Sequence, residues 1–152
     1  MKADLELKIE ETNTKIESVV LPVVHAIPMQ MRQLFTNLFT NAIKFKRANT
    51  NPEIHISCNE LTGEELESHH LRHNTKHYKI VVRDEGIGFD QEFAMKIFQI
   101  FQRLHGKAEY PGSGIGLAIC KKIVENHNGR IYAESESGKG AAFVIILPES
   151  QT

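Results

Sequence analysis

Asn37, Asn41 and Lys44 stand four and then three residues apart in a segment whose apolar residues recur at helical steps. On a helix of 3.6 residues per turn they lie within roughly 60° of one another. An amide oxygen suits a hard cation such as Mg²⁺, which also takes phosphate oxygens and water. Lys44, one turn on, could neutralise phosphates; a solvated polar face is the alternative reading of the same stripe. Asp84 ends a β-like run just before Gly86 and Gly88. A carboxylate there can accept a hydrogen bond from an exocyclic amine. Adenine carries that amine where guanine carries an oxygen, so Asp84 would select adenine and face guanine with two opposed acceptors. An ordinary turn aspartate is the other reading. Gly112-Ser113-Gly114-Ile115-Gly116-Leu117 opens a helix. Glycines let backbone approach a phosphate, and a helix N-terminus offers unpaired N–H groups and a positive dipole end. A loop rather than a strand precedes this motif, which does not fit a dinucleotide-binding unit. Gly138 and Gly140 read as turn glycines with a supporting role.

Secondary structure must hold these groups in place. Residues 28–46 are the clearest helix, with Met31, Leu34, Phe35, Leu38, Ala42 and Phe45 forming an apolar stripe. Residues 114–126 form a second helix, with Leu117, Ile119, Cys120, Ile123 and Val124 apolar, and Asn128-Gly129 ends it. A short third helix spans residues 91–101. Strands are expected at 14–20, 53–58, 78–83, 130–135 and 141–147, the last two joined as a hairpin through Ser137-Gly138-Lys139-Gly140. Residues 3–12 suit a strand or a linker, 21–28 are extended around Pro22 and Pro28, and 102–113 read as a mobile loop. The fold class is an α/β two-layer sandwich: a mixed, mainly antiparallel sheet of about five strands packed on three helices.

Residues 60–77 carry His69, His70, His73 and His77. Three of these follow at i, i+4 and i+8 and could bind a surface metal on a helix, but a solvated loop between strands is the better reading. His127, near a helix C-terminus, is expected to meet terminal carbonyls. Phe98 and Phe101 are expected to pack rather than stack on a ligand.

Composition excludes several classes. The 152 residues suit one domain, and 41% hydrophobic with 24% charged supports a core without disulfides or a structural metal. A net charge of −1 provides no basic field for nucleic acid and no polybasic membrane arm. The apolar runs are too short to span a bilayer, and no leader-like segment opens the chain. Cys58 and Cys120 stand apart, as reduced cytosolic thiols do. A cytoplasmic location is expected, although the full-length protein could be membrane-anchored.

Five segments together carry a resemblance. Residues 37–45 resemble the N box of sensor histidine kinases, 84–89 their G1 box, 97–103 the F box, 112–117 the G2 box, and Gly138-Lys139-Gly140 the last glycine motif. They occur in the family's order and spacing over about residues 14–147. The chain thus resembles the catalytic, ATP-binding domain of these kinases, a member of the GHKL superfamily. The resemblance implies Mg²⁺ coordination by Asn41, support of phosphate and metal by Asn37, phosphate contact by Lys44 and adenine packing by Phe45. It also implies adenine reading by Asp84 and a pocket shaped by Gly86 and Gly88. Arg103 would steady the transferring γ-phosphoryl group, so Arg103 and Lys44 are the catalytic candidates. Residues 103–113 would form the ATP lid, with Gly112, Gly114, Gly116 and Leu117 at the phosphate-binding motif.

Two departures qualify this. Glu85 stands where many members have Asn. None of the eight histidines lies in a helical His-Glu segment followed by a basic residue and Pro. The chain is therefore expected to be a catalytic domain alone, a monomer that depends on a histidine supplied by another domain, with a response regulator downstream. Related ATPases carry a glutamate base one turn before the metal-binding Asn; here Asn37 stands there, and an amide cannot abstract a proton. A neutral imidazole needs no such base to be nucleophilic. The alternatives are a nucleotide-binding module without phosphotransfer, and an ATP hydrolase.

Overall fold

The stretch Ala141–Pro148 is buried at every position. Both faces of a strand are covered only when it lies inside a sheet with material on each side. The structure, a computed structural model, describes residues 10, 14–18, 24, 26–44, 50–71, 75–88, 91, 96–98, 116–135 and 138–150. Five strands are found among them: β1 (Lys15–Ser18), β2 (Glu53–Glu60), β3 (His77–Asp84), β4 (Arg130–Ser135) and β5 (Ala141–Pro148). Their order in the sheet is β1-β2-β3-β5-β4. β1 runs parallel to β2, and every other pair is antiparallel. This is the mixed, mainly antiparallel sheet expected from the sequence.

The helices whose bounds fall among the described residues are α1 (Pro28–Lys44), α2 (Gly63–Ser68) and α3 (Gly116–Asn126), with a 3₁₀ turn at Lys96–Phe98. Pro28 suits the first helical position, where its missing N–H costs no bond. Leu34, Leu38 and Ala42 of α1 and Cys120, Ile123 and Val124 of α3 meet Ile54, Ile80, Val82, Phe143 and Ile145 in one core. Phe98 packs edge-on against Phe143, with centroids 6.2 Å apart, so its packing role holds. Phe101 and most of the expected helix at 91–101 lie outside the described residues, as does 102–113. No described helix is long and apolar enough to cross a membrane.

The segment 60–77 departs from the loop expected there. Thr62 and Glu65 form a reciprocal cap: the Glu65 N–H donates to Thr62 Oγ1 at 3.2 Å, and the Thr62 N–H donates to Glu65 Oε1 at 3.1 Å. The helix α2 so started buries Leu66 with Leu61 and Ile146 on the sheet face opposite the main core. It stops at Ser68, and His77 lies buried in β3. His69 and His77 therefore do not share a helix face, and His73 lies outside the described residues.

His127 reaches a terminal carbonyl as expected and does one thing more. Its Nδ1 lies 2.8 Å from Ile123 O, and its Nε2 accepts the Ile27 N–H at 3.0 Å. Nδ1 must carry the proton, so the ring is neutral and fixed in one tautomer. It ties the end of α3 to the residue just before α1. His127→Ala would leave the Ile27 N–H and the space of a buried ring uncompensated. We expect a loss of about 2–4 kcal/mol in urea unfolding. Nitrogen chemical shifts in the wild-type protein should show Nε2 unprotonated.

Candidate functional site

Helix α1 presents Asn37 and Asn41 half-buried and Lys44 exposed in its last turn. The Asn37 amide is occupied within the protein. Its Oδ1 accepts from Gln33 Nε2 at 2.6 Å, and its Nδ2 donates to the Gly116 carbonyl at 3.2 Å. Asn37 also lies beside the Cys120 thiol, whose pKa burial pushes up to about 12 against that contact. The polar stripe of α1 is thus joined directly to the first residue of α3, although 79 residues separate Asn37 from Gly116. Asn41 and Lys44 have no hydrogen-bond or ion-pair partner among the described residues. A Cβ at Gly116 would meet nothing within 4 Å, so packing does not demand glycine there. Leu117 is partly buried against the main core.

Asp84 ends β3, between Ile54 of β2 and Ala141 of β5. Among the described residues, it is buried as a polar or charged side chain alongside only His77 and His127. The Gly86 N–H donates to its Oδ1 at 2.9 Å. Burial raises its pKa from 3.8 to about 6, against the N–H bonds of Gly86 and Ala141 that favour the carboxylate. Gly88, buried, has φ +66°. The Ile87 carbonyl accepts the Gly138 N–H at 2.6 Å, which clasps the loop after β3 to the β4–β5 turn.

Gly140 has a larger role than a turn glycine. With φ +86°, it sits so close to the loop that a Cβ would lie 2.3 Å from the Asp84 carbonyl oxygen. Sequence spacing could not reveal this contact, because it depends on β3 and β5 lying side by side. The α1 stripe and the Asp84 loop border the same core, a cluster that includes Ala42 of α1 together with Ile54 and Ala141, the ladder neighbours of Asp84. Phe45, Arg103, Gly112 and Gly114 lie outside the described residues.

A second donor set lies nearer solvent. Glu53, His55 and Glu85 bring ligand atoms within 4.8 Å of one another. His55 Nδ1 pairs with Glu17 at 3.2 Å, and Glu17 pairs with Lys15 at 3.0 Å. Lys15–Glu17 is an exposed ion pair, of the kind that contributes little to stability.

Comparison with known proteins gives the family. Residues 26–151 match the family described as histidine kinase-, DNA gyrase B- and HSP90-like ATPases. The chain is 48% identical over 145 residues to Cyanobacterial phytochrome A of Nostoc sp., covering 95% of this chain and 17% of that protein. It is 38% identical over 123 residues to Sensor protein kinase WalK of Staphylococcus saprophyticus, covering 80% of this chain and 18% of that one. The chain thus spans under a fifth of the length of either relative. The solved catalytic domain of histidine kinase ThkA superposes with a TM-score of 0.70 at 25% identity, covering 98% of this chain and 88% of that one. The sheet order, the α1 stripe and the buried acidic residue at the end of β3 are thus features of a chain that belongs to the histidine kinase-, DNA gyrase B- and HSP90-like ATPase family.

Proposed function

We propose that this chain binds Mg–ATP and delivers the γ-phosphoryl group to a histidine on a separate phosphoacceptor domain, with a response regulator further downstream. The observation that carries the reading is the buried Asp84 carboxylate. It is fastened by the Gly86 N–H, and it keeps acceptor capacity that an adenine amine can use. The donor set also fits a magnesium ion. Asn41 offers an amide oxygen that no described residue uses, and Mg²⁺ takes few protein ligands beside phosphate and water. The Asn37 oxygen, held by Gln33, is not offered in this way. When bound, Mg²⁺ supplies charge neutralisation on the phosphate oxygens.

The chain's own residues would act mainly by position and charge. Asp84 orients the purine, Lys44 at the exposed end of α1 meets phosphate charge, and Arg103 steadies the transferring group. In this reading the roles of Phe45 on the purine and of Gly112, Gly114 and Gly116 at the phosphates are those that the family resemblance implies. Phosphotransfer is favoured over hydrolysis by Asn37. It stands where a hydrolase needs a base, it is neutral, and its amide is bonded to the Gly116 carbonyl.

Calorimetry with Mg–ATP, followed by a transfer assay with a histidine-bearing helical hairpin, tests the reading. Saturable binding with histidine labelling is expected. Binding without labelling would reduce the chain to a nucleotide-binding module, and steady phosphate release without an acceptor would make it a hydrolase. Asn41→Ala should weaken Mg²⁺-dependent ATP binding about ten- to a hundredfold. Unchanged metal dependence in that variant would remove Asn41 from the metal site.

A further inference from the structure

Among the described strands, β4 lies at the edge of the sheet, paired on one side with β5. Its outward backbone groups need partners or water. Gln91 supplies two of them: its Nε2 donates to the Ala133 carbonyl at 3.2 Å, and its Oε1 accepts the Ser135 N–H at 2.9 Å. One side-chain amide thus bonds β4 as a peptide group of a further strand would. Gln91 is exposed, so this contact does not follow from apolar burial.

The position of Gln91 matters more than the bonds alone. It follows Asp84 by seven residues. The described part of the intervening loop, residues 85–88, follows directly on the β3 ladder and is held at Ile87 by the Gly138 N–H. Three residues beyond Gly88, the Gln91 side chain is fastened to β4. Ser135, the residue Gln91 accepts from, also donates its hydroxyl to the Gly140 carbonyl at 2.7 Å. Gly140 in turn lies against the Asp84 carbonyl. The anchor and the carboxylate are therefore linked through β4 as well as along the chain.

We propose that Gln91 is a positioning residue for Asp84: by bonding the β4 edge at Ala133 and Ser135, and through Ser135 the Gly140 turn that lies against Asp84, it holds the purine-reading carboxylate ready before nucleotide arrives. This rests on the nucleotide-binding reading given above. A loop held in its binding conformation spares the ligand the cost of ordering it. Without the anchor, that cost falls on binding and not on the phosphoryl-transfer step.

The test compares wild type with Gln91→Ala and Gln91→Glu. Glutamate can still accept the Ser135 N–H but cannot donate to Ala133 O. Amide exchange at Ser135, read without nucleotide, should speed up at least tenfold in Gln91→Ala and less in Gln91→Glu. The Kd for Mg–ATP should rise about three- to tenfold in Gln91→Ala, with a smaller rise in Gln91→Glu and narrowed discrimination between ATP and GTP. Transfer rate at saturating ATP should stay within twofold of wild type. Unchanged Ser135 exchange, or faster exchange with an unchanged Kd, overturns the anchor role. So does a kcat that falls as much as the affinity. Should Gln91→Ala fail to fold, Gln91→Glu carries the same comparison. No saturable ATP binding by wild type overturns the nucleotide reading itself, whereas wild-type binding with unaffected variants overturns this inference alone.

Discussion

Asp84→Asn should move stability and ATP affinity in opposite directions. The native carboxyl titrates at about 6 instead of 3.8 because burial penalises its charged form. Between about pH 4 and pH 6 the folded chain holds a proton that the unfolded chain has already lost. The contribution of this group to stability is therefore complete below about pH 4 and is lost as pH rises through about 6. The rise corresponds to about 3 kcal/mol at neutral pH, as an order of magnitude. A neutral amide at position 84 can keep the Gly86 bond at no ionic cost. We expect the ligand-free variant to gain about 1–2 kcal/mol at pH 7 and little at pH 4, read by urea unfolding.

The same substitution should weaken Mg–ATP binding about ten- to a hundredfold, the range for losing a hydrogen bond to a charged group. It should also relax the preference for ATP over GTP, since an amide can turn its NH₂ toward a guanine oxygen. The wild-type pH profile gives an independent check. The carboxylate fraction falls from about nine-tenths at pH 7 to about one-tenth at pH 5, so ATP affinity should drop about tenfold over that span. In Asp84→Asn this dependence should vanish. A wild-type affinity flat between pH 5 and 7, or a variant that loses both stability and affinity, would reduce Asp84 to a structural turn residue. A residue that weakens the empty fold and strengthens the occupied one marks a binding site more sharply than burial alone.

How much of this was legible in the sequence follows the range of the interaction. Periodicity placed α1 and α3 because Leu34, Leu38, Ile123 and Val124 repeat at local steps and are buried for that reason. The β4–β5 hairpin followed from its glycine turn. Helix α2 is not legible this way although Thr62 and Glu65 spell its cap; the surrounding polar composition hides a helix whose one buried side chain, Leu66, clusters with Ile146 about eighty residues on. The site divides in the same way. Asn37, Asn41 and Asp84 could be proposed from type and spacing. That the Asn37 amide is committed to Gly116 could not, because it needs α1 and α3 to be packed together. Gln91 gave no signal at all, since one exposed glutamine looks like any other until β4 is beside it.

Gly140→Ala against Gly138→Ala separates a turn requirement from a packing requirement. Both glycines sit at positive φ, +84° for Gly138 and +86° for Gly140. Alanine at either should cost about 1–2 kcal/mol for the left-handed backbone. At Gly138 nothing lies within 4 Å of the new Cβ, so the cost should end there. At Gly140 the Cβ would lie 2.3 Å from the Asp84 oxygen, 3.1 Å from the Glu85 Cα and 3.2 Å from the Asp84 carbonyl carbon. All three are backbone atoms, so no side-chain rotation relieves the overlap. Either the β4–β5 turn or the Asp84 loop must move, and the turn is tied back by Ser135 Oγ on the Gly140 carbonyl. We expect a total loss above about 4 kcal/mol, in the range reserved for breaches of packing. In whatever fraction stays folded, ATP affinity should also fall, because Asp84 shifts with its carbonyl. Gly138→Ala should retain near-normal affinity, since its N–H can still reach Ile87 O. Equal stability losses in the two variants would mean that the approach of Gly140 to Asp84 is not a constraint, and that the final glycine motif serves only the turn.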